Sequence, residues 1–236
     1  MAASAARSAS EVRAQLPALI SACAVLVLGI STQQLASHAP LGPLSRHMAV
    51  HIALMNVAAP FCAAVLWLAW PAARKPASGA VLWTATIGQM VLIWVWHAPV
   101  IHAAAMPSLV AQMLWHSSLL LSALLFWRAL VPASGTGWQS IFALLVTGKL
   151  VCLLAVLLVF SPRLLYLQAP GTATKHAIEH AAERPDLADQ QVAGLLMLAA
   201  CPLSYVLAGI LLAAQSLSDL ARAAQPIHHH HRSAVR

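Results

Sequence analysis

Charge is scarce in this sequence, and acids are scarcest: charged residues make up 8% of the 236, with six Asp and Glu against thirteen Lys and Arg. Soluble domains carry about 25% charge, so a water-exposed globular surface is excluded. The basic excess, formally +7, is scattered along the chain, which excludes a nucleic-acid-binding face. The four cysteines, Cys23, Cys62, Cys152 and Cys201, each stand alone in an apolar run without a CxxC or CxC pair. They read as small buried hydrophobes. Also missing are an HExxH pair, a glycine-rich phosphate loop and a nucleophile beside a base. Enzyme chemistry has no carrier, and the chain reads as non-catalytic.

What remains is mostly hydrocarbon. Hydrophobic residues reach 61% and the mean hydropathy is +0.78. Apolar stretches fall at 16–36, 46–70, 80–101, 109–131, 138–160 and 190–216, bounded by Pro, Gly, Arg or Lys. Each approximates the ~20 residues that cross a bilayer as a helix. Backbone amides find no water in hydrocarbon, and the two-residue alternation of a barrel is missing, so the spans must be helical. The expected fold is all-α, a bundle of six transmembrane helices over 16–216. A short segment, 1–15, precedes it and a tail containing His and Arg, 217–236, follows. Arg7 and Arg13 ahead of the first apolar core also give that stretch the form of a leader peptide.

Lys and Arg set the orientation. With the N-terminus inside, the inner loops hold Arg7, Arg13, Arg74, Lys75, Arg128, Arg222, Arg232 and Arg236, and the outer ones Arg46, Arg163, Lys175 and Arg184. The positive-inside rule then places both termini in the cytoplasm of a bacterial inner membrane. Lys149 alone falls mid-span, about 11 residues or ~16 Å from either end. It is expected to face the bundle interior, paired or deprotonated.

On that orientation every histidine outside the His228–His231 tail run faces outward: His38, His47, His51, His97, His102, His116, His176 and His180. His47 and His51, four apart, project from one helix face. Met48 and Met55 are near them, and imidazole with thioether is a ligand set suited to copper. His97 follows Trp94 and Trp96, an interfacial aromatic pair, and precedes Pro99; His116 follows Trp115 on the next span. His176 and His180, interleaved with Glu179 and Glu183, read first as a solvated amphipathic helix and second as a capture site. The tail histidines form a loose tract rather than a defined site.

Four stretches, HMAVHIALMNVAAP (47–60), WVWHAP (94–99), LWHSSLLLSALLFW (114–127) and DLADQQVAGLLM (186–197), together resemble the CtaG-like cytochrome c oxidase assembly proteins of polytopic membrane type. The resemblance carries that family's histidines onto His47, His51, His97 and His116, and its acidic-glutamine turn onto Asp189 and Gln190. Leu198 stands where Trp is common, and Ser117–Leu120 lack a second histidine. The resemblance implies oxidase biogenesis: copper, as Cu(I), bound at an outward site and passed to a haem-copper oxidase subunit, with a periplasmic copper donor upstream. Asp189 would ligate the metal or orient a ligating imidazole. His102, His176, His180 and Met48 are further candidates. Two other readings stay open: a haem-binding electron-transfer subunit, since facing histidines also supply axial ligands, and a metal-free structural chaperone of the oxidase.

Overall fold

A computed structural model describes residues 20, 25, 41–70, 75–130, 137–166 and 186–223. Among these residues all regular structure is helical, and it is numbered here in chain order. Helix α1 is Pro43–Ala69, α2 Gly79–Trp96, α3 Pro99–Ala105, α4 Leu109–Leu130, α5 Gly137–Phe160 and α6 Leu187–Ala223. All but the short α3 are long and apolar enough to cross a membrane. These five match the second to sixth apolar stretches. The first, 16–36, lies outside the described residues except for Ile20 and Val25, as do His38, His176, His180 and the tail histidines.

Two boundaries differ from expectation. The 80–101 stretch is not one helix: α2 stops at Trp96, and α3 restarts at Pro99. Proline pushes the residue before it out of the helical region, and Ala98 is extended there, with φ −65° and ψ 127°. The last helix runs to Ala223 rather than 216, so 217–223 continue it instead of opening a tail. At 1.5 Å per residue its 37 residues reach ~55 Å, well beyond a ~30 Å hydrocarbon core.

The inside-out distribution of side chains is what a bilayer demands. Ile87, Val91, Leu121, Phe142, Leu203 and Ile210 are exposed, whereas Thr86, Gln89, Ser122, Ser140, Thr147 and Gln190 are buried. Without a hydrophobic force between helices in lipid, close packing has to hold them together, and small residues permit it. The tightest pair is α5 with α6. A Cβ built on Gly194 would come to 2.8 Å from Val159 Cγ2 and 3.0 Å from the Ala155 carbonyl oxygen, so only glycine allows that approach.

The same packing overturns the expectation for Lys149. The face of α5 turned inward carries Ala143, Leu144, Thr147, Gly148, Val151, Leu154, Ala155 and Leu158, and position 149 falls outside it. Lys149 is exposed, on the outer stripe with Leu145 and Leu153.

Helix α1 is interrupted by a π segment, Leu54–Ala58, where Ala59 N–H reaches back five residues to the Leu54 carbonyl. The next such bond, to the Met55 carbonyl, would need an N–H from residue 60, but that residue is Pro60. Trp127 of α4 replaces it, donating its indole N–H to the Met55 oxygen at 2.9 Å. A lone substitution in the backbone ladder is thereby completed from another helix.

Candidate metal centre

The first turn of α1 cannot cap itself: Gly42, at the N-cap, has no side chain, and Pro43 follows. The cap arrives from the start of α6. Asp189 accepts Leu44 N–H on Oδ2 at 2.8 Å and Ser45 N–H on Oδ1 at 3.0 Å, and Ser45 Oγ donates to the Asp189 carbonyl at 3.0 Å. A carboxylate on the positive end of a helix is favourable. Gly42 makes room for it, since a Cβ there would overlap the Asp189 carboxylate. Both carboxylate oxygens accept backbone amides, and Asp189 fixes the helix that carries His47 and His51.

Gln190, the next residue, does the matching work on the opposite side. Its Oε1 accepts Leu165 N–H at 2.7 Å, and its Nε2 donates to the carbonyls of Leu158 and Arg163 at 3.2 and 3.3 Å. That pins the stretch after α5, from which Tyr166 donates its hydroxyl to the His97 carbonyl at 3.0 Å. The Tyr166 ring lies against His102, with centroids 4.1 Å apart. Adjacent residues of α6 thus clamp the two walls of one site.

Between those walls the imidazoles converge. His47 and His51 bring their Nε2 atoms to 2.7 Å, as their four-residue spacing on α1 predicts. His116 of α4 joins them, its ring 5.2 Å from His47 and stacked on His51 at 4.7 Å. One nitrogen from each of the three lies within 4.8 Å of the others, a spacing that can hold a metal ion. His116 has its Nδ1 2.7 Å from the Gln112 carbonyl, so Nδ1 donates and Nε2 keeps its lone pair. A tetrahedral ion at about 2.0 Å from His47 and His51 requires their nitrogens to open to about 3.3 Å, a small side-chain rotation.

His97 and His102 form a second tier. His97 is 6.2 Å from the His51 ring, and His102 is 6.0 Å from the His47 ring. The Nδ1 of His97 lies 2.7 Å from the Ile93 carbonyl, which fixes the tautomer and leaves Nε2 as an acceptor. Burial, with a lesser contribution from His97, pushes the His102 imidazole down to about 4, so it is neutral at physiological pH. Met48 is fully buried and lies inward of the cluster, beside His51 and His97.

Trp115, fully buried, backs the rings of His47, His51, His97 and His102. Its centroid is 4.6 Å from His47, 5.3 Å from His51 and 5.2 Å from His102, and it stacks on Trp96 at 5.2 Å. Trp115, Tyr166 and Ser45 were not among the expected site residues. The position of Trp115 immediately before His116 was its only signal, and Tyr166 carried none.

Three imidazole nitrogens, His51 Nδ1, His97 Nε2 and His102 Nε2, are buried without a hydrogen-bond partner. Each such group costs about 1–3 kcal/mol, so a cluster of them marks a place that stability alone does not explain. The family model for the cytochrome c oxidase caa3 assembly factor matches residues 5–219. The chain belongs to that family. The match takes in every one of these imidazoles together with Asp189 and Gln190, so the whole clamped site is part of the family's own region. Comparison with curated proteins and with solved structures gives no match.

Proposed function

We propose that the chain is a non-catalytic assembly factor that holds copper, as Cu(I), on His47, His51 and His116 and delivers it to a haem-copper oxidase subunit. The carrying observation is the convergence of three imidazoles from two helices, beside further buried imidazole nitrogens that lack partners. His97 and His102 supply reserve ligands within one side-chain movement. Asp189 and Gln190 position the ligand-bearing segments. His47 and His116 are half-buried, so an ion on them is reachable from the end of the bundle. A set with no thiolate binds copper without retaining it permanently, as a carrier must. The basic residues favour an inner membrane with this end facing the periplasm and both termini cytoplasmic, where a periplasmic donor would meet it.

Haem is disfavoured by packing: the rings of His47, His51 and His116 stand 4.2–5.2 Å apart with Trp115 against them, which leaves no slot for a macrocycle. The test is copper X-ray absorption on the purified protein loaded with Cu(I). Imidazole scattering is expected from the wild type and a marked decrease in it from H47A/H51A; a wild type without imidazole scattering overturns the reading.

A further inference from the structure

Inward of the imidazoles, among α1, α2, α5 and α6, lies a cavity of about 20 Å³ whose wall includes Met48, Met55, Met197, Cys201, His51 and His97. That is room for about one water-sized body. A water would need two to four polar partners. The wall's other polar side chains, Asn56 and Tyr205, are already engaged, Asn56 with Cys201 and Ser204 and Tyr205 with Gln89, and apart from the two histidines the rest is sulfur and hydrocarbon. On those histidines, His51 Nδ1 and His97 Nε2 have no partner, on residues only 5% and 6% exposed.

The sulfur side is held in place. Asn56, on the π segment of α1, donates from Nδ2 to Cys201 Sγ at 3.3 Å, and its Oδ1 is 3.1 Å from Ser204 Oγ. Ligating groups are ordinarily oriented by such outer hydrogen bonds. The π segment contributes both Met55 and Asn56, and π-bulges recur at functional sites. Cys and Met sulfur select soft cations such as Cu(I) over hard ones such as Mg²⁺ or Ca²⁺.

We propose that this cavity is a second metal site, taking one soft monovalent cation on the sulfurs of Met48, Met55, Met197 and Cys201, with His97 or His51 completing the set. His51 belongs to both sites, since it meets His47 in the outer cluster and lines the cavity. An ion can therefore pass between an outer imidazole station and an inner sulfur station without release into hydrocarbon. The inner site stands on its own lining and depends on the proposed function only for copper being the natural cargo.

The full chain in lipid nanodiscs, with Ag(I) as a redox-inert probe counted by elemental analysis, tests this. The H47A/H116A variant leaves every cavity residue intact and is expected to retain one silver ion per chain. Adding M55L, M197L and C201S is expected to remove it. Met→Leu nearly conserves volume, and monodisperse elution checks that the protein remains folded. Should the combined variant fail to fold, M197L/C201S in the H47A/H116A background is expected to weaken Cu(I) at least tenfold in competition with a chelator, and Cu(I)-loaded H47A/H116A to show sulfur scattering. Silver absent from H47A/H116A, or binding unaffected by the sulfur substitutions, overturns the inner site. Failure of the outer site reads differently: wild type and H47A/H116A would then be identical in silver count and in copper spectrum.

Discussion

At the scale of the residue, the centre is held together by groups that do not ligate. Asp189 replaces a missing cap on a helix that opens Gly-Pro, so D189A strips acceptors from two buried amides. The expected cost is about 1–3 kcal/mol, read as a lower melting temperature in detergent, with a larger loss than D189N, which keeps one acceptor. His102 supplies a pH signature. Its pKa lies near 4 in the fold and near 6.5 when unfolded, so between those values the unfolded chain binds more protons. Stability is then expected to fall as pH drops from about 6.5 to about 4, and H102F to lose less over that interval than the wild type; equal slopes in the two melting series would contradict this. The histidines themselves were legible in the sequence, through the i,i+4 spacing of His47 and His51 and the common depth of His97 and His116. The contact of Asp189 with the first turn of α1 was not legible, because only the folded chain brings residue 189 to residue 44.

At the scale of the element, the π segment and α5 show where sequence patterns lose information. Nothing local announces that Pro60 will leave the Met55 carbonyl short of a donor, since the remedy, Trp127, is 72 residues away. W127F is expected to cost about 1 kcal/mol. In a P60A background, which restores an N–H at residue 60, the cost should shrink, giving a coupling in a double-mutant cycle; strict additivity would show that the indole bond is incidental. Helix α5 was recognisable as a span but not its inward face, because a helix apolar all round carries no directional signal. The facing was decided by small residues packing on α6, and they turn Lys149 outward. A lysine at the centre of a span disfavours insertion by about 2.5–3.5 kcal/mol, so K149L is expected to raise the melting temperature in nanodiscs while leaving copper retention unchanged. A fall in either would show that the ammonium has a partner in the membrane.

At the scale of the whole molecule, the five spans among the described residues place polar groups inside and hydrocarbon outside, and set the imidazoles at the end where α1 and α6 begin and α2 ends. That arrangement followed from the lengths and order of the apolar stretches. The break at Pro99, the clamp from Asp189 and Gln190, and the sulfur-lined cavity required the tertiary contacts. The central claim is that the imidazole cluster hands copper to an oxidase. It is tested most directly by the copper content of the oxidase purified from cells whose only copy of this protein is H47A/H51A. The account predicts an oxidase depleted of copper while the variant is inserted in the membrane at the wild-type level. An oxidase with its full copper complement would contradict it.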